Sequence, residues 1–156
     1  MDFWQVLESR HSVRSFNPDK KITEEQIERL LKAARLAPSA GNMQDWYFEV
    51  IKDILVKRKL VDEAISSGQD WINQAPVIIV VCTDLDTAKQ NYGQRGVELY
   101  SIQDTAAATQ NLLLAATELG LGTCWVGAFN EEKVKEILEL SANLRPVVIV
   151  PIGYAK

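Results

Sequence analysis

The spacing of apolar residues along the chain predicts a series of amphipathic helices. In the stretch EEQIERLLKAARLA (residues 24–37), apolar side chains recur every three or four positions, so they share one face of a helix. Thr23 and Gln26 form a capping box at its start, and Pro38 ends it. Similar patterns predict further helices over residues 2–9, 54–66, 97–119 and 130–140.

Four apolar, β-branched runs predict strands. The run PVIIVVCT (76–83) is apolar almost throughout, which is typical of a strand buried on both faces. Pro146 and Pro151 bracket the last run, which suits a strand at the edge of a sheet or one that enters the sheet late. Residues 84–95 are polar and give no clear prediction. The other three runs are WYFEVIK (46–52), TCWVGAF (123–129) and PVVIVPIGY (146–154).

Together these elements predict one α+β domain over residues 1–156, with a mixed central sheet of about four strands and helices packed around it. The longest predicted helix (97–119) lies at its centre, and the alanines at 106–108 would let another backbone approach closely. The chain has 156 residues, of which 47% are hydrophobic and 24% charged. It is therefore long enough to bury a core without disulfides or metals.

The overall charge and the apolar tracts narrow the range of partners. A net charge of −4 and a pI near 5.1 argue against general binding to nucleic acid or to an anionic membrane. The longest apolar tract, NLLLAATELGLG, contains Glu118 and is too short to span a bilayer. The opening MDFWQVLE is not typical of a signal peptide. Cys82 and Cys124 lie in apolar runs and are expected as free thiols, with a disulfide as the alternative. These features predict a cytoplasmic protein.

The reactive side chains exclude several familiar chemistries. One histidine and two cysteines do not make up a zinc site of the usual kind. The chain has neither a phosphate-loop lysine motif nor a Gly-x-Ser-x-Gly motif. Gly120 and Gly122 do not begin a dinucleotide fingerprint, because Trp125 occupies its last position and a helix precedes it. His11 is a poor general base because two arginines flank it. If the protein is an enzyme, we expect a cofactor to carry its chemistry.

A basic stretch, SRHSVRSF, stands near the start of this acidic chain. Arg10 and Arg14 are four positions apart with Ser12 between them, so two guanidinium groups and a hydroxyl can meet one phosphate. The alternative is that both arginines pair with surface carboxylates such as Glu8 or Asp19.

Two further stretches combine small residues with exposed backbone. In PSAGNMQDW (38–46), the small residues leave the main chain accessible, while Asn42 and Gln44 offer amide donors and acceptors to a flat heterocycle. In GLGTCWVGAF (120–129), Gly127 and Ala128 end an apolar strand, where backbone N–H groups could face a ligand. Taken alone, each stretch also fits an ordinary turn.

In this order, the three stretches resemble the motifs of the nitroreductase family of FMN-dependent oxidoreductases. The resemblance extends from Asp2 to about Tyr154, and DTAAATQNLLLAATELGLG is similar to the central helix of the family. It implies an α+β sandwich that forms an intertwined homodimer with FMN in the interface. The implied activity takes hydride from NAD(P)H and reduces nitroaromatic, quinone or related acceptors by a ping-pong mechanism. A flavin-binding store or sensor without turnover, and a dehalogenase or dehydrogenase on the same scaffold, are the alternatives.

The resemblance also implies roles for individual residues in binding FMN. Arg10 and Ser12 would hold the phosphate and ribityl chain, and Arg14 would lie near the pyrimidine edge. The Gly127 backbone would donate to flavin N5, and no side chain is expected to act as a catalytic acid or base. Pro38, Ser39 and Ala40 would line the flavin from the partner subunit, where Asn42 and Gln44 would bond its polar edge. The further cofactor-binding residues implied are His11, Gln69, Trp125, Val126, Ala128 and Lys156.

Two regions fit the family pattern less closely. Many relatives continue past the last strand and supply another Lys or Arg to the phosphate, a role for which Lys156 is the available residue here. In relatives, residues corresponding to 84–100 often form a substrate lid, for which Tyr92, Arg95 and Tyr100 are the candidates.

Overall fold

The computed structural model describes all 156 residues. Six α-helices are present: α1 (Phe3–Ser9), α2 (Glu24–Arg35), α3 (Ile54–Ala64), α4 (Leu85–Arg95), α5 (Ser101–Glu118) and α6 (Glu131–Ile137). The four strands are β1 (Trp46–Ile51), β2 (Val77–Asp84), β3 (Gly122–Thr123) and β4 (Leu144–Gly153). Short 3₁₀ turns cover Ala40–Asn42 and Asp70–Gln74, and a π-helical turn, Gly96–Tyr100, leads into α5. The predicted α+β class is confirmed.

The strands form one sheet in the order β1-β2-β4-β3, and every strand pair is antiparallel. The predicted count of four strands is confirmed, but parallel pairing is limited to one isolated bridge between Ser12 and Thr123. Of the two options for the last strand, the edge position is wrong, because β4 lies between β2 and β3. Pro146 is tolerated there because it adjoins an irregularity in the pairing with β2. Ile149 bonds to Val126 on the side away from β2, and Pro151, two positions later, directs its missing donor to that same side.

Alternate residues of β2 pack in two hydrophobic cores, one on each face of the sheet. Ile79 and Val81 of β2 face a core built with α2 and α5, whereas Ile78 and Val80 face a second core built with α3 and α6. The seven residues of β2 from 77 to 83 are buried, as the apolar run predicted. The molecule is therefore a helix–sheet–helix sandwich with α5 on one face of the sheet.

Two local predictions differ from the structure. In place of the predicted strand over 123–129, only the two residues of β3 (Gly122–Thr123) form a strand. Beyond Thr123, only single bridges at Val126 and Phe129 continue the pairing. The polar segment after β2 forms α4, which was not predicted because Ala88 is its only buried residue. A signal for this helix was present in Asp84, whose carboxylate accepts N–H groups at the start of α4.

Both cysteines are buried and free, in agreement with the sequence. No helix combines the length and the apolar character needed to cross a membrane.

Candidate functional site

The basic stretch is an extended segment held between β3 and the last residues of the chain. Val13 donates its N–H to the Thr123 carbonyl at 2.8 Å, and the Lys156 N–H donates to the Ser15 carbonyl at 3.3 Å. Phe16 bridges to Ala155. The first and third motifs and Lys156 are thus brought together, as one binding site requires.

The basic side chains of this segment have no anionic partner within the protomer. Arg10 is half-buried and Arg14 exposed, and neither forms an ion pair. The alternative pairing with Glu8 or Asp19 is absent. His11 donates Nδ1–H to the Ser9 carbonyl at 2.8 Å, which leaves Nε2 free. Ser12, between the arginines, is exposed. Two unpaired guanidinium groups near a free hydroxyl are suited to a small anion such as a phosphate.

The end of the third motif offers a free backbone donor. Val126 exchanges both of its backbone hydrogen bonds with Ile149 and is buried, which fixes the position of the next residue. The N–H of Gly127 has no acceptor within the protomer, and the space around its α-carbon is open. Trp125 and Ala128 flank it on the surface. Gln69 is half-buried just after residues 65–66, which pair with residues 128–129.

The loop of the second motif has an unusual backbone. Gly41 and Asn42 both have φ of 55°, and Gln44 has φ of 48°, so three of four consecutive residues are left-handed. Ser39 Oγ accepts the Gln44 N–H at 2.9 Å, and Gln44 Nε2 donates to Asn42 Oδ1 at 3.2 Å. A side chain at Gly41 would overlap the Tyr92 hydroxyl. The loop therefore presents exposed amide groups on a constrained main chain.

The two halves of the predicted site lie apart within one protomer. Pro38, Ser39 and Ala40 line an open cavity of about 400 Å³ together with Ala107 of α5. A different cavity, of about 230 Å³, is lined by His11, Gly120–Gly122 and Thr117 of α5. Ala107 and Thr117 are ten positions apart on α5, which corresponds to about 15 Å along the helix axis. One protomer therefore groups the first and third motifs but keeps the second motif at a distance.

An aromatic cluster borders the loop. Tyr92 and Tyr100 meet edge to face with ring centroids 5.3 Å apart. Arg95 donates Nε–H to the Tyr100 hydroxyl at 2.9 Å and forms no ion pair. Since Tyr100 also lines the cavity beside Pro38, the three candidate lid residues do gather next to the predicted flavin loop.

Sequence reasoning missed two acidic residues that tie the loop down. Asp45 and Asp104 are both buried, and Asp104 accepts the Ala40 N–H through both carboxylate oxygens at 3.1 Å. The signal for Asp104 was available, because it lies four positions before Ala108 on the apolar face of α5. Asp45 carried no such signal at the start of an aromatic strand.

The motifs and the fold both match known proteins. The family model described as "Nitroreductase family" matches residues 7–69 and 66–154. An Archaeoglobus fulgidus protein, provisionally named an NADH dehydrogenase/NAD(P)H nitroreductase, is 40% identical over 97% of this chain and 84% of its own length. An FMN reductase [NAD(P)H] of Bacillus subtilis is 31% identical over 95% of this chain, which spans 64% of that longer protein. The crystal structure of a nitroreductase family protein from Clostridium novyi NT superposes with a TM-score of 0.90 at 30% identity, covering 100% of this chain and 86% of the other. The chain belongs to the nitroreductase family.

Proposed function

We propose that this protein is an FMN-dependent oxidoreductase that takes hydride from NAD(P)H and passes it to nitroaromatic, quinone or related acceptors. The observation that carries the proposal is the pair of unpaired arginines, Arg10 and Arg14, on the segment that pairs with Thr123. Thr123 belongs to the same motif as Gly127, whose N–H is free. Relatives named as an FMN reductase and as NAD(P)H nitroreductases support the cofactor and the enzyme class. Family membership supports the reaction class, whereas the acceptor rests on the local chemistry of the site.

The residues present fit FMN. Arg10 and Ser12 are suited to its phosphate, and Arg14 to the electron-rich pyrimidine edge. The free Gly127 N–H would orient N5 of the ring. When bound, the flavin supplies the hydride-accepting and hydride-donating chemistry, so this chain needs no acid–base residue of its own. The protein's part is to bind the ring, orient it and leave one face open.

We further propose that two copies of the chain complete each site. In one protomer the flavin loop and the basic segment line separate cavities about 15 Å apart along α5. Phe3 and Trp4 on α1 are 65% and 70% exposed, and Leu36 is 73% exposed. Large exposed apolar side chains of this kind are typical of a surface that another subunit covers. A homodimer would bring Pro38–Gln44 of one subunit to Arg10 and Gly127 of the other.

Subunit sharing predicts complementation between two defective variants. We expect Arg10→Ala and the double variant Asn42→Ala/Gln44→Ala each to bind FMN weakly as homodimers. After the two are mixed and allowed to exchange subunits, one site of each heterodimer carries both changes and the other carries neither. FMN titration of the mixture should therefore show a fraction of sites with wild-type affinity. Sedimentation of a monomer that binds FMN fully would contradict the proposal.

The aromatic cluster supports a planar acceptor. Tyr92 and Tyr100 offer ring faces and edges beside the flavin loop, and Arg95 adds a fixed cation. Planar, electron-poor molecules such as nitroaromatics and quinones suit this aromatic cluster, because both can stack on an exposed ring.

The spectrum of the protein tests the function directly. We expect protein supplied with FMN to be yellow and to bleach rapidly on anaerobic addition of NADH or NADPH, with the colour restored by a nitroaromatic or a quinone. A flavin store or sensor would bind FMN but would not bleach. A protein that stays colourless after FMN is added would contradict both functions.

A further inference from the structure

Two buried carboxylates hold the flavin loop at both of its ends. Asp45 is 2% exposed and directly follows Gln44, the last predicted flavin contact of this loop. Asp104, 6% exposed on α5, accepts the Ala40 N–H through both oxygens. The segment from Ala40 to Asp45 is thus held by an acid at each end. After burial, the charge of Asp104 is the main cause that raises the pKa of Asp45.

No cation neutralises this pair. None of the four ion pairs in the molecule includes either carboxylate. Asp45 Oδ2 accepts the Thr83 hydroxyl at 3.3 Å, whereas its buried Oδ1 has no partner among other groups. Two buried, adjacent negative charges without a counter-ion are unfavourable. A single proton on Asp45 removes one charge and lets its O–H donate to Asp104.

Most charged neighbours of the pair are engaged elsewhere. Arg95, at the end of α4, forms no ion pair and donates to the Tyr100 hydroxyl. On β2, Asp84 caps α4 and accepts from Asn143. On β1, Glu49 accepts the Tyr47 hydroxyl. The other charged residue of α5, Glu118, pairs with Arg29 at the far end of the helix. The titration of the pair therefore depends chiefly on its own two members.

The loop needs such an anchor because its backbone is strained. A left-handed conformation is unfavourable for Gln44 and persists only where the surroundings impose it, whereas asparagine, as at Asn42, tolerates it better. Besides Asp104, two residues anchor the loop. Ser39 accepts the Gln44 N–H through its hydroxyl oxygen, and Asp45 is itself buried.

We propose that Asp45 and Asp104 share one proton and act as positioning residues that hold the loop in the form that binds FMN. This inference rests on the proposed function only in the identity of the ligand that the loop binds. Asp45 acts as the donor and Asp104 as the acceptor, since a charged Asp104 accepts the Ala40 N–H more strongly than a neutral one does.

The pH dependence follows from the raised pKa values. Burial, and then the charge of Asp104, raise the pKa of Asp45 to about 6. Burial likewise raises the pKa of Asp104. A pKa raised in the ordered state means that the ordered loop binds the proton more tightly than the disordered loop does. The stabilisation is therefore fully present below about pH 4 and is lost as the pH rises through about 6.

FMN affinity of three proteins tests the inference. For the wild type, the Kd for FMN should rise between roughly pH 5 and pH 7.5, by about tenfold where the loop is largely open in the flavin-free protein and the pKa of Asp45 returns to about 4 on opening, and by less where the loop stays ordered. In Asp45→Asn the amide donates permanently to Asp104, so this component should vanish and binding should stay tight at both pH values. The control Asp62→Asn makes the same substitution at an exposed aspartate on α3 and should behave like the wild type. All titratable groups outside the acid pair are the same in the wild type and in Asp45→Asn, so the difference between these two proteins isolates the pair. Equal pH dependence in Asp45→Asn and the wild type would overturn the proposal.

A second readout is independent of flavin. Amide exchange of residues 38–45 in the flavin-free protein, corrected for its intrinsic pH dependence, should show protection that falls above pH 6 in the wild type and persists in Asp45→Asn. If FMN binds no variant but this difference is seen, the acid pair holds the loop and the flavin function is wrong. If FMN binds and protection changes equally in both proteins, the flavin function stands and the shared proton does not.

Discussion

Replacing Arg10 with alanine is expected to weaken FMN binding by about 1.5–3 kcal/mol, the usual contribution of a hydrogen bond to a charged group. This corresponds to a rise of roughly 10- to 150-fold in Kd. The reason is that Arg10 is half-buried and has no carboxylate partner within the protomer, so its guanidinium is available to a phosphate. Quenching of flavin fluorescence on titration gives the Kd directly.

Two controls show whether the phosphate is the group bound. Riboflavin lacks the phosphate, so Arg10→Ala should leave its affinity close to that of the wild type. Arg58→Ala removes another unpaired arginine, exposed on α3, and should not change FMN binding. The difference between Arg10→Ala and the wild type should also shrink at high salt, because exposed charges are screened. An equal loss for riboflavin and FMN would show that Arg10 does not bind the phosphate.

Replacing Phe16 with alanine is expected to lower the free energy of unfolding by about 3–5 kcal/mol, the usual cost of emptying a buried phenyl site. Phe16 is fully buried and stacks on Trp71 with ring centroids 6.2 Å apart. It also packs so closely on Gly153 that a β-carbon there would clash with the ring. Urea denaturation at fixed protein concentration measures the change, which is a large fraction of the stability of a typical domain.

The same substitution should also weaken FMN binding, because Phe16 anchors the segment that carries Arg10 and Ser12. Leu30→Ala is the matched control, since Leu30 is equally buried in the core between α2 and α5. It should cost a similar free energy of unfolding, about 2–5 kcal/mol, without a matching loss of affinity. A Phe16→Ala protein that loses less than about 1 kcal/mol, or that keeps wild-type affinity, would show that the ring does not anchor the segment.

The elements with strong local signals were predictable. The capping box of Thr23 and Gln26 is present with both of its hydrogen bonds, and α6 lies within the predicted helix over 130–140. The apolar run of β2 is buried on both faces because helices cover both sides of the sheet. In these cases local propensity and burial favour the same structure.

Other features depend on contacts between distant parts of the chain. The position of β4 inside the sheet was not predictable from its prolines, because both are accommodated where the neighbouring pairing is irregular or sparse. α4 lies on the surface and lacks an apolar face, so its sequence shows no helical spacing of apolar residues from which to predict it. The anchoring of the flavin loop depends on Asp45 and Asp104 meeting across the fold, and neither acid indicates the other in sequence. The predicted contacts of individual residues with FMN stay predictions.

The pairing of Ser12 and Val13 with β3, and of Phe16 with Ala155, has a consequence for biosynthesis. A nascent chain that has not yet emerged from the ribosome beyond β3 lacks the backbone partners of its basic segment in β3 and at the end of the chain, however early that segment was made. Such long-range closure is slow compared with helix formation. Cofactor capture would therefore come at the end of folding, and the amount of holoprotein in a cell would depend on the supply of flavin after translation is finished.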